Sequence, residues 1–100
     1  MRTLKKIAES NKELAEEMIS KKDIKIEVAR NKMDVNNIND EYFENKAIVS
    51  AESEERNYWV GIKTMANIVL DYANKYIENE ERELEELEIF KPNNYETYYV

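Results

Sequence analysis

The chain contains no cysteine and no histidine, only one glycine, Gly61, and only one proline, Pro92. The first two absences exclude disulfides, iron–sulfur clusters, zinc sites built from Cys and His, and catalysis by Ser-His-Asp or Cys-His groups. A single glycine excludes the glycine-rich loops that bind phosphate groups. The scarcity of glycine and proline also favours long helices over a fold with many turns. We therefore expect no cofactor and no bound metal, and chemistry is left to carboxylates, lysines, tyrosines and hydroxyls.

Long apolar runs are also missing from the chain. The N-terminal residues lack the apolar stretch of a signal peptide, and no segment is long enough to span a membrane. Hydrophobic residues still make up 42% of the chain, which suffices for one small core. The abundance of Lys, Glu, Asn and Ile is typical of AT-rich bacterial or phage genomes. We expect a single-domain protein of the cytoplasm, in the host cell if it is encoded by a phage.

Negative charge dominates, with 22 acidic and 15 basic residues and a net charge of −7. The charge is uneven, because residues 1–32 hold nine basic and six acidic side chains whereas residues 33–100 hold six basic and sixteen acidic ones. Residues 78–88, here called the acidic segment, contain seven glutamates and a single basic residue, Arg82. Direct binding to nucleic acid is not expected, since its phosphate backbone would be repelled. The basic N-terminal third is predicted to lie against the acidic remainder, within one chain or between chains.

Residues 3–22 are predicted to form an amphipathic helix. Its apolar stripe repeats with helical spacing and comprises Leu4, Ile7, Leu14 and Met18, with Ala8 and Ala15 beside it. Asn11 falls within the stripe, where an apolar residue is expected. We interpret it as a water-exposed residue at the edge of the stripe. The alternative is a buried asparagine that sets register and oligomeric state in a coiled coil.

Residues 23–39 carry an ambiguous pattern. Ile24, Ile26 and Val28 alternate as in a strand, yet Ile24 and Val28 also lie one helical turn apart. We favour helix, because a single strand without partners is marginal. The composition of residues 34–40 is typical of a loop, in which Asn37, Asn39 or Asp40 caps the helix that follows.

A second helical pattern begins at Glu41 and continues almost to Phe90, with a break predicted as an option near Ser50–Ser53. Its strongest signal is an apolar stripe spaced 4, 3, 4, 3 and 4 residues apart, here called the seam: Tyr58, Ile62, Met65, Val69, Tyr72 and Tyr76. Pro92 is predicted to end the helix. The chain is thus expected to form a helical domain at 1–90 and a tyrosine-rich tail at 91–100.

The length of this helix bears on assembly. A helix from Ser53 to Glu88 spans about 54 Å, whereas a compact domain of this size has a diameter of roughly 35 Å. The expected fold is therefore all-α, a helical hairpin or small bundle in which the first helix packs antiparallel on the long one. We expect the exposed part of the seam to associate with a second chain in a homodimer.

For function, these patterns favour a non-enzymatic interaction protein with an acidic surface. One specific hypothesis is an inhibitor or adaptor, encoded by a phage or mobile element, that blocks the basic nucleic-acid-binding groove of a host enzyme. The predicted partner-binding residues lie in the acidic segment and the tail: Glu80, Glu81, Glu83, Glu86, Tyr95, Tyr98 and Tyr99. The alternative is a structural coiled coil whose only partner is itself.

A third hypothesis is an enzyme, a Mg²⁺-dependent nucleotide hydrolase. It depends on two E-x-x-E pairs, Glu13/Glu16 and Glu41/Glu44, which loosely resemble the acidic motifs of all-α nucleotide pyrophosphatases. Both pairs lie on predicted helices, and paired carboxylates are ligands that suit Mg²⁺. The high acidic content of the chain produces such pairs readily by chance, so this hypothesis ranks last.

Overall fold

The computed structural model describes the backbone of residues 1–98 and the side chains up to Leu87, and it contains two helices. Helix α1 comprises Arg2–Asn31 and helix α2 comprises Asp40–Tyr98, joined by the loop at residues 32–39. The described part holds no strand, so the predicted all-α hairpin is confirmed. Its principal extents are 92 × 14 × 13 Å and its radius of gyration is 25.4 Å, about twice that of a compact 100-residue domain.

The helix boundaries follow from local chemistry at the loop. Residues 23–31 belong to α1, which confirms the helical interpretation of the ambiguous stretch. The Asp34 carboxylate accepts a hydrogen bond from the Asn36 amide at 2.9 Å, and the Asn39 side chain accepts one from the Tyr42 amide at 3.0 Å. Asn39 is therefore the residue that caps α2, because its oxygen satisfies an amide that has no partner within the helix.

The predicted end of α2 at Pro92 is wrong, because the helix continues to Tyr98. Of the two options near Ser50–Ser53, the structure shows the continuous helix without a break. A proline inside a helix loses one backbone hydrogen bond and costs about 3 kcal/mol, yet its fixed φ angle is compatible with helical geometry. At 1.5 Å per residue α2 is about 88 Å long and α1 about 45 Å. Much of the longer helix therefore extends beyond the shorter one.

The two helices meet along a line of small side chains. On α1 every seventh residue faces α2, in the series Ala8, Ala15, Lys22 and Ala29. The facing residues of α2 include the buried Ala66, Ala73 and Ile77. Among the described residues only seven apolar side chains are buried, five of them alanines, and no large side chain is fully enclosed. Small side chains let the helix axes approach closely, but they bury little apolar area.

This packing corrects the predicted first stripe. The large residues that were expected to form its centre are partly exposed, with Leu4 at 41%, Ile7 at 54% and Leu14 at 47%. The two alanines predicted to lie beside the stripe, Ala8 and Ala15, occupy the centre instead. In this hairpin the small apolar residues of the first stripe are therefore buried, and its large apolar residues are mostly exposed.

Ion pairs along the hairpin show its antiparallel register. Arg2 lies 3.1 Å from Glu81, Glu16 lies 3.5 Å from Lys63, and Asp23 pairs with Arg56. Exposed pairs of this kind contribute about 0–1 kcal/mol each, so they indicate the register more than they stabilise it. The predicted antiparallel packing of the first helix is confirmed. The charge pairing between the helices runs both ways, because Arg2 of α1 meets an acidic residue of α2 whereas Glu16 and Asp23 of α1 meet basic ones.

One ion pair lies inside the contact between the helices. The Lys22 ammonium replaces an alanine in the α1 series, lies 2.7 Å from the Glu52 carboxylate and also pairs with Glu55. The hydrogen bond from Lys22 holds the pKa of Glu52 below its ordinary value of 4.5, against the opposing effect of desolvation. The hydrogen bonds to Glu52 and Glu55 likewise raise the pKa of Lys22 above 10.5. Both shifts favour the charged forms, and hence the pair, at neutral pH.

A lowered pKa of Glu52 predicts a specific loss of stability in acid. The stabilisation from this carboxylate is present above pH 4.5, the ordinary value, and disappears as the pH falls through the lower folded value. Between pH 7 and pH 3 the wild-type melting temperature should therefore fall further than that of Glu52→Gln, as measured by circular dichroism. Glu13→Gln, at an exposed position of α1, is the control and should follow the wild type. Equal acid losses in all three proteins would contradict the role of Glu52.

Candidate protein-interaction surface

One side of the hairpin carries an open apolar groove between the two helices, with a volume of about 810 Å³. Here this side is called the groove face. The α1 residues that line the groove include Leu4, Ile7, Asn11 and Leu14, and the α2 residues include Tyr58, Ile62, Met65 and Val69. Each helix contributes its residues at intervals of three or four, so that they share one face. Because the groove is formed by residues of both helices, the spacing of apolar residues within either helix alone does not predict it.

The predicted seam forms the α2 side of the groove face. The stripe of α2 that packs on α1 repeats every seven residues and contains Trp59, Ala66 and Ala73. The seam residues Tyr58, Met65 and Tyr72 each come directly before one of these, so the seam lies on the neighbouring side of the helix. Met65 and Tyr72 are both 61% exposed, Tyr58 and Tyr76 are also exposed, and Ile62 and Val69 are half-buried. Helix α1 therefore leaves the seam largely uncovered. Self-association through the seam stays a prediction.

The extent of exposed apolar surface distinguishes this hairpin from an ordinary monomer. Eighteen large hydrophobic side chains are exposed among the described residues. Monomeric soluble proteins rarely expose contiguous apolar patches larger than a few hundred Å², and larger patches mark interaction sites. Gly61 adjoins the groove, and apart from its chain neighbours and the nearby backbone of α2, no atom lies within 4 Å of the position that a Cβ there would occupy. The groove face is thus open to an approaching chain.

Towards the loop the groove face becomes charged. A second groove of about 390 Å³ is lined by residues that include Ile24, Lys25, Val28, Ile48 and Glu52. Lys21 and Lys32 lie along the same side of α1, at helical spacing from Lys25 and Val28. Cationic side chains of α1 therefore border the groove face at its loop end, whereas apolar ones border it at the other end.

Most of the acidic segment lies beyond the N-terminal end of α1. Because Arg2 pairs with Glu81, the part of α2 from Arg82 to Tyr98 has no α1 residue beside it, over about 25 Å. The predicted partner-binding glutamates of this segment are all exposed: Glu80, Glu81, Glu83 and Glu86. Arg82, the one basic residue of the segment, donates a hydrogen bond to the Asn79 side chain at 2.9 Å. Glu80, Glu83 and Glu86 therefore present their charge to solvent, whereas Glu81 is paired with Arg2.

Glutamates of the acidic segment point in different directions around α2. Glu83 follows Tyr76 by seven residues and Glu86 follows Tyr72 by fourteen, so both continue the groove face. Glu78 and Glu85, which are also seven residues apart, lie on the side of the helix away from the groove face. The stripe that packs on α1 also continues into the segment as Leu84 and Leu87, which are 54% and 63% exposed. The segment is thus an amphipathic extension of the hairpin, with its apolar stripe uncovered by α1.

The tail tyrosines cannot be placed in this surface. The side chains of Tyr95 and Tyr98 lie outside the described residues, as does Tyr99 as a whole. Their predicted part in partner binding stays a prediction.

The two carboxylate pairs of the hydrolase hypothesis are far apart. Glu16 lies beside Lys63, and Glu44 precedes Lys63 by nineteen residues on α2, which is about 28 Å along the helix. Within the described part of the chain, no group of three or more acidic residues is placed to hold a metal ion. The Glu13/Glu16 and Glu41/Glu44 pairs therefore cannot share one Mg²⁺ ion in this fold.

Asn11 is exposed, as predicted, and lines the groove opposite Val69. Its neighbours in the groove are mainly apolar, and its carboxamide offers both a hydrogen-bond donor and an acceptor. In the single hairpin water satisfies these groups at little cost. A chain that covered the groove face would have to provide a polar partner at this position.

In the part of the chain that the structure describes, neither helix contains a stretch apolar and long enough to cross a membrane. Comparison of the chain with protein-family models, with curated proteins and with solved structures finds no match.

Proposed function

We propose that this chain is a non-enzymatic protein-interaction module. It assembles through the groove face, and it attracts a basic protein partner through the acidic segment. The observation that carries this proposal is that the buried apolar residues are mostly small, whereas many of the large apolar residues are exposed. Alanines hold the two helices together, while the large apolar side chains of both helices line an open groove. Exposed apolar surface of this extent has a function in binding, because it otherwise favours aggregation.

The acidic segment supports a partner with a basic groove. Seven glutamates fall within residues 78–88, which is about one negative charge per 2 Å of helix, close to the one per 1.7 Å of duplex DNA. The described side chains of this segment are exposed and extend beyond α1. Such a surface accelerates encounter with a positively charged groove. The specific proposal is an inhibitor or adaptor, of phage or mobile-element origin, that occupies the nucleic-acid-binding groove of a processing enzyme.

Removal of charge from the acidic segment should slow binding to such a partner. A variant with Glu80, Glu81, Glu83 and Glu86 changed to Gln should associate roughly tenfold more slowly at low salt, with less change in dissociation. The binding protein is captured from host lysate, and its association is then measured by surface plasmon resonance over a salt series. A duplex DNA competitor should block the capture if the partner uses its nucleic-acid groove.

The matched control removes the same charge elsewhere. It changes four exposed glutamates outside the acidic segment to Gln: Glu9, Glu13, Glu27 and Glu54. Both variants are compared with the wild type at concentrations at which light scattering gives all three the same mass. Equal slowing in both variants would contradict a specific role of the segment, since it would reflect net charge alone. The tail is tested separately, because loss of a tyrosine anchor at 95, 98 or 99 should cost about 2 kcal/mol and speed dissociation.

A structural coiled coil whose only partner is itself is the second candidate. The uncovered seam on α2 favours it, since coiled-coil partners pack on stripes of this spacing. Capture from the host separates the two candidates. A stable oligomer that retains no other protein supports the structural role, whereas a salt-sensitive complex with a nucleic-acid-processing enzyme supports the interaction module.

A further inference from the structure

The groove face has an occupant that the chain itself supplies. We infer that a second copy packs on this face in the antiparallel orientation, related by a two-fold axis that crosses both helices at the level of Asn11 and Val69. The result is a four-helix assembly in which α1 lies on α1 and α2 on α2. The inference deepens the proposed function, on which it rests, by naming what covers the groove face.

The lengths of the helices support an axis at this level. Val69 is the midpoint of α2, which comprises Asp40–Tyr98. An antiparallel pair centred there covers α2 from end to end, including the part that α1 leaves bare. It also sets the seam against itself, because Met65 meets Tyr72 of the second copy and Val69 meets its equivalent. The parallel orientation leaves both extensions of α2 uncovered.

Asn11 lies at the same level as Val69, since both line one groove. The ion pairs Arg2–Glu81 and Glu16–Lys63 independently place Asn11 between residues 68 and 72 of α2. The two-fold axis therefore brings the two Asn11 side chains together in an apolar setting. A carboxamide is both donor and acceptor, so two of them form reciprocal hydrogen bonds. A slip in register would leave each one buried without a partner, which is how buried asparagines select register in coiled coils.

Charge complementarity selects the antiparallel orientation over the parallel one. Residues 21–32 hold five basic and two acidic side chains, whereas the acidic segment holds seven acidic and one basic. The antiparallel pair places Glu83, on the groove face, at the level of Lys25 of the second copy, which has no ion-pair partner within its own chain among the described residues. The other charged residues of that copy near this level are the acidic Glu54 and the pairs Lys21–Glu17, Lys22–Glu55 and Arg56–Asp23. The parallel pair instead places two acidic segments at the same end, where they repel.

The face has the area that a stable dimer needs. Around Asn11 each α1 overlaps the other over residues 2–20, so the two-helix part of the face measures about 28 Å by 20 Å, or roughly 560 Å² for each copy, and the contact of α2 with α2 beyond it adds roughly as much again. Specific interfaces bury about 800 Å² on each partner. The apolar residues that line this area include Leu4, Ile7, Leu14, Met65 and Val69. A second copy therefore supplies the core that the single hairpin lacks.

A single spin label in each chain measures the orientation directly. The chain has no cysteine, so Glu85→Cys provides one label, on the side of α2 away from the groove face. Every dipolar distance in this protein is then between copies. Residue 85 lies sixteen residues from the axis, so the antiparallel assembly should give one distance of about 50 Å. A distance below roughly 30 Å would show the parallel orientation and overturn the inference, as would the absence of any distance at assembly concentrations.

Asn11→Leu tests whether the asparagine sets the register. The variant should still assemble, and more tightly, but a second, shorter distance should appear because the leucine accepts the other orientation. Asn67→Leu, on the other side of the hairpin, is the control and should retain the single distance. A single 50 Å distance in Asn11→Leu with unchanged affinity would overturn the role of Asn11.

The outcomes also separate this inference from the proposed function. A monomeric chain that still binds a basic protein would overturn the antiparallel assembly alone. An assembly with the 50 Å distance that binds no other protein would overturn the proposed recognition of a basic partner and leave the assembly standing.

Discussion

Replacing Ala73 with aspartate should unfold the hairpin. Ala73 is fully buried in the contact between α2 and α1. An uncompensated buried charge costs about 3–5 kcal/mol, which is comparable to the whole stability of a small domain. Circular dichroism at room temperature should show a large loss of helicity, and the variant should melt without a cooperative transition.

The control for Ala73→Asp is Thr64→Asp on the same helix. Thr64 is exposed on the side away from the groove face, so its substitution should change stability by only about 0.5 kcal/mol. Both variants introduce an aspartate and the same change in net charge, so their comparison shows the effect of placing that charge at a buried position instead of an exposed one. A cooperative melt of Ala73→Asp at the wild-type temperature would contradict the alanine-lined contact between α1 and α2.

Replacing Met65 with aspartate should break the assembly instead. Met65 is 61% exposed in the single hairpin, so a charge there meets water as long as the chain is alone. In the proposed assembly the same charge would be buried at the centre of the groove face. A loss of about 2 kcal/mol at each of two equivalent sites raises the dissociation constant roughly a thousandfold. The same reasoning applies to Val69→Asp, at the proposed axis.

Light scattering over a concentration series measures this effect. The wild type should have twice the 11.9 kDa mass of the chain at micromolar concentration, and Met65→Asp should have the mass of one chain. Its melting temperature should also lose the concentration dependence that assembly confers. Thr64→Asp again serves as the control. Wild-type mass for both Met65→Asp and Val69→Asp would remove the seam from the interface.

Local signals predicted the elements of this protein well. Helical spacing and the scarcity of glycine and proline indicated two helices, and the run of Asn and Asp indicated the loop between them. Asn39 was one of three residues proposed to cap the second helix, and its side chain makes the capping hydrogen bond. These features depend on neighbours within four residues, so the sequence contains their cause. The extension past Pro92 was missed because a proline usually ends a helix.

The pairing of the helices was predicted less well. Hydrophobic patterns rank leucine, methionine and tyrosine above alanine, so the stripes of large residues were expected to hold the hairpin together. A signal for the true contact was present in Ala8, Ala15 and Ala29, which repeat every seven residues with Lys22 in the missing position. The ion pair of Lys22 with Glu52 was missed for the same reason, since it joins residues thirty positions apart.

The sequence by itself determined that this protein is helical, that its acidic charge concentrates near the end of the second helix, and that a seam of large apolar residues lies along that helix. The tertiary structure decided which stripe α1 covers. Closely packed helices admit small side chains at their line of contact, and alanines occupy most of that line, so large residues of both helices, among them Leu4, Ile7 and Met65, line an open groove instead. Antiparallel register likewise decided that the two carboxylate pairs lie far apart, because distances between helices depend on where the chain turns and not on spacing within either helix.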